Sequence, residues 1–209
     1  MFISFEGLDG SGKTTQVKLL FEFLQKAGYS VLVTREPGGT PIGEAIRDVL
    51  HDMKHAEMHP RTELLLYVAS RAQLVSQVIR PHLAQGNIVI SDRFADSTLA
   101  YQGYGHGLPL EPLRQIINFA TDGLWPDLTL FLDTDPQVGL QRRYDAAREG
   151  QEYNRLDDKD LAFYQRVYAG YQALMQADPN RWKQVNANDD PNTIANKIRE
   201  VVLSQLKPT

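Results

Sequence analysis

The chain has 209 residues, 42% of them hydrophobic and 23% charged, with a formal net charge of −4; this length suits one well-buried core rather than two full domains. The acidic balance gives no general attraction to nucleic acid or anionic membranes, and the absence of cysteine excludes disulfides, thiolate zinc sites and cysteine nucleophiles together. No apolar run approaches the roughly 18 residues that cross a bilayer, and strand character from residue 2 onward leaves no room for a signal peptide, so a cytoplasmic protein with small-molecule partners is expected.

Residues 1–5, MFISF, read as a buried strand, and residues 16–24 repeat apolar positions at helical spacing. Between them, Gly7, Leu8, Asp9, Gly10, Ser11, Gly12, Lys13 and Thr14 fit the pattern G-x-x-x-x-G-K-[ST] in full, in the order strand, loop, helix that gives it meaning. Glycines let successive N–H groups turn inward toward phosphate oxygens, and the helix start adds its positive dipole end. Lys13 supplies a mobile charge for the β- and γ-phosphates, and Thr14 a hydroxyl placed to ligate Mg²⁺. A nucleoside triphosphate is therefore the expected ligand.

Further apolar or β-branched runs recur at residues 29–34, 87–91, 127–132 and 183–185, separated by longer helical patterns. Together with the first they predict a five-stranded parallel sheet with helices on both faces, an α/β doubly wound architecture. Ligands in such sheets gather at the carboxyl ends of the strands. After the second strand, residues 34–40 form a rigid turn, and Arg35 and Arg47 either bring positive charge to the sheet edge or lie solvated. The spacing predicts a long helix over 61–83 with Tyr67 and Arg71 on one face. That pair either stacks a base and hydrogen-bonds its edge, or divides between core and surface. The third strand ends at Asp92-Arg93, a carboxylate for the Mg²⁺ shell and a guanidinium for phosphate, or else a structural ion pair.

Residues 136–157 carry Arg142, Arg143, Arg148 and Arg155; they read as a solvated helix and loop, or as a lid that excludes water and supplies cations on closure. His51, His55 and His59 recur every fourth residue and suggest a shared helix face. Pro60 and the lack of an apolar frame favour an exposed helix end over a metal site.

The combination of residues 7–14 with TREPGGT at 34–40, YVASRAQ at 67–73 and DRFADSTLAYQGYG at 92–105 resembles the bacterial branch of the thymidylate kinase family, in order and over nearly the whole chain. The resemblance implies a single P-loop NTPase domain over residues 1–209 with a lid near 142–157. It also implies transfer of the γ-phosphoryl group of ATP to thymidine monophosphate with Mg²⁺, a step toward dTTP, and a homodimer. By position, Tyr67 matches an aromatic that stacks on thymine and Arg71 the arginine that bonds its O4. Thr98 matches a small polar residue at the base edge, and Tyr101 a tyrosine that crowds out a ribose hydroxyl; Gln102 follows it in the same substrate-binding motif. Arg93 and Arg47 match residues that hold the acceptor phosphate, Asp9 a carboxylate near the sugar 3′-hydroxyl, and Asp92 one near the magnesium shell. Arg142 matches the arginine that lies against adenine, and Arg155 falls in the segment most like the lid motif, as the cation for the transferred phosphoryl group. The chain departs from the family in three places. Phe94 replaces Tyr or His, Tyr67 replaces the commoner Phe, and Asn154-Arg155-Leu156-Asp157 stands where Asp-Arg-x-Glu is usual. The rival readings are another small P-loop kinase with a different acceptor and a nucleotide-dependent switch protein.

Overall fold

In the computed structural model of the chain, which describes residues 1–150 and 154–206, the predicted apolar runs form one sheet. Its strands are β1 (Phe2–Glu6), β2 (Val31–Arg35), β3 (Ile88–Asp92), β4 (Leu128–Asp133) and β5 (Trp182–Asn186). All pairings are parallel and the spatial order is β2-β3-β1-β4-β5. The strands end later than their apolar runs do. Glu6, Arg35, Asp92, Asp133 and Asn186 all lie within the ladder, where Phe5 pairs with Asp92 and Asp133 with Asn186. Main-chain pairing, not apolar character, sets where a strand stops, and the polar residues at these ends are the ones the site uses.

β1 is central and wholly buried. The period-two pleat sends Ile3 and Phe5 into one core with Ile90, Leu130 and Leu132, and Phe2 into the other with Val89 and Phe131. Helices α1 (Lys13–Lys26) and α9 (Pro191–Gln205) cover the first core with Val17, Leu20 and Leu24, and with Ile194, Ile198 and Val202. The second core takes Leu64 and Val68 of α3 (Pro60–Leu74), Leu113 and Ile117 of α6 (Leu110–Thr121), and Val167, Tyr171 and Leu174 of α8 (Leu161–Ala177). Ser4 and Glu6 share the pleat face of Phe2, so that second face is apolar at the base of the sheet and polar at its carboxyl edge.

Helix α2 (Pro41–His51) starts at Thr40, whose hydroxyl accepts from Gly43 N, and packs on α3. The helix predicted over 61–83 runs from Pro60 to Ala84, interrupted by a π-helical turn, Val75–Ile79, before α4 (Arg80–Ala84). A second π-helical segment, Leu99–Gly105, follows the short α5 (Ala95–Thr98) and carries Tyr101 and Gln102. Periodicity reads an apolar face but does not register one extra residue in a turn. The three histidines do not share a face: His51 closes α2, His55 ends the 3₁₀ turn Met53–His55, and His59 caps α3. Helix α7 (Pro136–Arg148) leads from β4 into the predicted lid, of which residues 151–153 lie outside the described residues. Among the described residues no helix is long and apolar enough to cross a membrane.

Candidate active site

The loop between β1 and α1 holds its shape through positive φ at Gly10 (76°) and Gly12 (86°), a region that costs glycine nothing. Gly10 is also required by space, because a Cβ there would lie 2.2 Å from the carbonyl oxygen of Gly139 on α7. Gly12 caps α1 without a side chain, and the first turn of α1 has no acidic residue, so its N–H groups are left to a bound anion. Lys13 is buried and its Nζ donates to the carbonyls of Gly7 (3.1 Å) and Leu8 (2.9 Å). Burial, and then the charge of Arg93, push its pKa down to about 8. Thr14 Oγ1 donates to Asp92 Oδ2 at 2.8 Å. These two hard oxygen ligands, joined across a helix start and a strand end, fit Mg²⁺, which keeps most of its shell as water and phosphate and asks few ligands of the protein.

Asp92 is followed by a turn that brings its neighbours into the same cleft. Arg93 has φ +71°, uncommon for a residue with a side chain. Its Nη2 donates to Asp9 Oδ1 at 2.6 Å and to Tyr101 Oη at 3.2 Å, and its Nη1 to Ser97 Oγ and Tyr171 Oη. Burial alone would raise the Asp9 pKa, but Arg93 and Lys13 overcome it and hold the carboxyl well below its usual range. The tyrosine ring lies beneath the guanidinium, 5.0 Å from Cζ to centroid.

Farther along the cleft stands Arg71, 1% exposed. Glu36, in the turn after β2, accepts from its Nε and Nη2 (2.6–3.0 Å), and Nη2 also donates to Thr98 Oγ1 at 3.0 Å and the Phe94 carbonyl at 3.2 Å. Its other amino group, Nη1, is buried with no protein partner among the described residues. A charged donor left so is costly unless something in the cleft accepts from it. Tyr67, one turn earlier on α3, lines the same cleft, as do Arg47, Thr98, Gln102 and, at the other end, Lys13, Thr14, Arg142 and Arg143; the volume is about 560 Å³. Arg47 Nη1 donates to the Pro37 carbonyl (3.3 Å) and Arg142 Nη1 to that of Ala187 (3.3 Å).

Arg155, expected as the cation for the transferred phosphoryl group, lies elsewhere. It does not line the cleft. It is 4% exposed, and its Nη2 meets Glu63 Oε2 at 2.5 Å while its Nε donates to the Leu50 carbonyl. Glu63, fully buried on α3, also accepts from Gln102 and His106. Burial opposes its ionisation, but these hydrogen bonds outweigh it and bring its pKa down to about 2. Arg155 therefore anchors the end of the lid segment on α3. Of the arginines over residues 142–157, Arg142 and Arg143 line the cleft, Arg143 gripped through Nε and Nη2 by Asp157 at 2.7 Å each, so the shortened carboxylate in Asn154-Arg155-Leu156-Asp157 still forms an ion pair. Arg148 projects into solvent, 82% exposed.

The family model described as thymidylate kinase matches residues 5–198. The chain is 50% identical to the thymidylate kinase of Roseiflexus castenholzii, with 97% of this chain and 92% of that one covered, and 50% identical to that of Thermomicrobium roseum, with 99% and 96% covered. Among solved structures, the crystal structure of thymidylate kinase from Ehrlichia chaffeensis superposes with a TM-score of 0.79 at 35% identity, over 97% of this chain and 98% of that chain. The chain belongs to the thymidylate kinase family. Its sheet is the P-loop NTPase sheet of that structure.

Sequence reasoning passed over three acids that organise this thymidylate kinase site: Glu6, Glu36 and Glu63. Each is buried, and a buried carboxylate must be paired or hydrogen-bonded. A glutamate at the end of an apolar strand, as in FISFE, was the one legible signal. Phe94 is fully buried edge-on against Phe2 and lies 5.4 Å beneath Arg71.

Proposed function

We infer that this chain transfers the γ-phosphoryl group of ATP to thymidine monophosphate, giving thymidine diphosphate and ADP, a step toward dTTP. One observation supports the acceptor: Arg71, whose Nη1 has no partner among the described residues, lines the cleft that holds Lys13 at its other end, and a carbonyl bound beside it can accept from that group. Thymine O4 is such an acceptor; the exocyclic amine of cytosine is not.

In this reading the loop N–H groups and Lys13 take the triphosphate, and Arg142 lies against adenine. Thr14 and Asp92 hold Mg²⁺, whose chemistry when bound is charge neutralisation at the phosphoryl oxygens. Tyr67 stacks on the base, Arg71 and Thr98 read its edge, Gln102 lies beside them, and Tyr101 crowds the sugar C2′ position while Asp9 faces the 3′-hydroxyl. Arg93 and Arg47 hold the acceptor phosphate in line. Phosphoryl transfer asks for positioning and charge neutralisation rather than a strong base. The transition-state cation is Arg143, already at the cleft, or Arg148 on closure of the lid over 142–157. The whole of residues 1–209 acts as one kinase domain, in the cytoplasm. It works as a homodimer, a reading supported by the exposed apolar residues Ile42 and Val49 on α2, Leu65 on α3 and Phe119 on α6, helices that pack side by side; light scattering at a few concentrations tests it. The activity itself is tested by ADP release with thymidine, deoxyuridine and deoxycytidine monophosphates. Thymidine monophosphate should lead, and equal turnover of all three would overturn the assignment.

A further inference from the structure

Glu6 ends β1 one residue before the phosphate loop and is fully buried, yet it does not line the cleft. Its two oxygens divide their work. Oε1 accepts the Phe94 backbone N–H at 2.8 Å, fixing the peptide that follows the left-handed Arg93. Oε2 accepts from Ser97 Oγ at 2.6 Å and from Tyr171 Oη at 2.9 Å. Those two hydroxyls in turn accept from Arg93 Nη1, at 3.1 and 3.2 Å. Glu6 thus grips Arg93 at both ends, the backbone through one oxygen and the guanidinium through the other.

We propose that Glu6 is the positioning residue of Arg93: it holds an energetically unfavourable backbone turn and, through Ser97 and Tyr171, ties Nη1, so that the guanidinium, whose Nη2 meets Asp9 and Tyr101, keeps one place on the cleft wall where the phosphate of the acceptor binds. The physical need is plain. A non-glycine residue at positive φ persists only where its surroundings over-determine it, and an arginine side chain keeps one rotamer only if its donors are tied. A carboxylate buried at this depth is costly unless hydrogen-bonded; burial and the nearby Asp96 push the Glu6 pKa up to about 7, and three donors on three separate elements, the β3–α5 turn, α5 and α8, offset part of that cost. The neutral partners Ser97 and Tyr171 transmit the acceptor polarity of Glu6: each donates to the carboxylate and so keeps its lone pairs for Arg93. An amide in place of the carboxylate presents N–H groups instead, turns the hydroxyls, and loosens the guanidinium without emptying the site.

This inference rests on the reading of the cleft as a thymidylate site, and its test separates the two. Binding of thymidine monophosphate and of thymidine, which lacks the phosphate, is measured by calorimetry for wild type, Glu6→Gln, Arg93→Ala and the double variant, with steady-state kinetics alongside. Glu6→Gln should weaken the monophosphate about 10-fold or more while thymidine affinity and the KM for ATP stay within about 2-fold. In the Arg93→Ala background it should cost nothing further, because its effect runs through that side chain. Tyr171→Phe, which removes one of the two relay hydroxyls and keeps the packing, should move the same ratio in the same direction by less, and it serves where Glu6→Gln does not fold. Equal losses for nucleotide and nucleoside, or additive losses in the double variant, would mean a merely structural Glu6 and overturn the proposal. A wild-type protein that binds neither compound would instead remove the thymidylate reading.

Discussion

At the scale of single residues, the position of a charge decides what its removal does. Lys13 is buried against two loop carbonyls, and burial and the charge of Arg93 push its pKa down to about 8, so its charge adds little to the stability of the fold. Lys13→Ala should leave stability within about 1 kcal/mol of wild type while lowering kcat far more than tenfold, where tenfold is about 1.4 kcal/mol of transition-state stabilisation. Stopped-flow turnover with a denaturation curve checks both, and near-normal turnover would end the catalytic reading of the loop. Arg155 behaves in the opposite way. Arg155→Ala leaves a fully buried Glu63 with Gln102 and His106 as its remaining donors among the described residues, which should cost about 3 kcal/mol of stability, as broken buried pairs do. The chemical step of folded enzyme should change little. Arg143→Ala should do the reverse, cutting single-turnover rates toward the roughly 10³-fold lower end of arginine-finger effects with nucleotide affinity much less affected.

Between elements, the phosphate loop and the lid helix meet backbone to backbone. Gly10 faces the Gly139 carbonyl, and a Cβ on Gly139 would lie 2.8 Å from the carbonyl of Asp9. Neither atom is the end of a flexible side chain, so Gly139→Ala must push α7 off the loop. ATP affinity should fall by about tenfold or more, on the order of 1.4 kcal/mol, with the sheet intact by circular dichroism; an unchanged Kd would show that the loop yields freely. Helix α3 is the second junction. It carries Glu63, Tyr67 and Arg71 at successive i, i+4 positions, hence on one face, and ties the end of the lid segment to the wall of the cleft through the Glu63–Arg155 pair.

For the whole molecule, that junction sets an acid limit. The Glu63 pKa falls from 4.5 to about 2 on folding, so the folded state favours its ionised form. The stabilisation, about 3 kcal/mol for this shift, is complete above the unfolded pKa and is lost as pH falls through the folded one. In Glu63→Gln this part of the acid limb should vanish. Urea titrations of both proteins at several pH values between about 5 and 2.5 should show their stability gap closing as pH falls; a gap independent of pH would contradict the assignment. Acceptor choice is likewise a property of the assembled cleft. Thymidine monophosphate should be preferred over its deoxyuridine analogue by only about 10–200-fold, since one methyl group offers limited discrimination.

The sequence by itself determined the architecture and the triphosphate site, because both rest on local rules. Short apolar or β-branched runs and helical periodicity gave the strands and helices, and glycines at fixed spacing before Lys13 and Thr14 gave the loop. It also placed Tyr67 with Arg71, four residues apart on one helix. Only the tertiary structure decided which cation reaches the cleft and which acids hold the arginines there. Asp9 meets Arg93 across 84 residues, Glu63 meets Arg155 across 92, and Glu6 meets Tyr171 across 165. No periodicity records such pairings. An arginine in a lid-like motif reads the same whether it faces a phosphate or a buried carboxylate, and the difference arises when chain closure brings a desolvated acid within its reach.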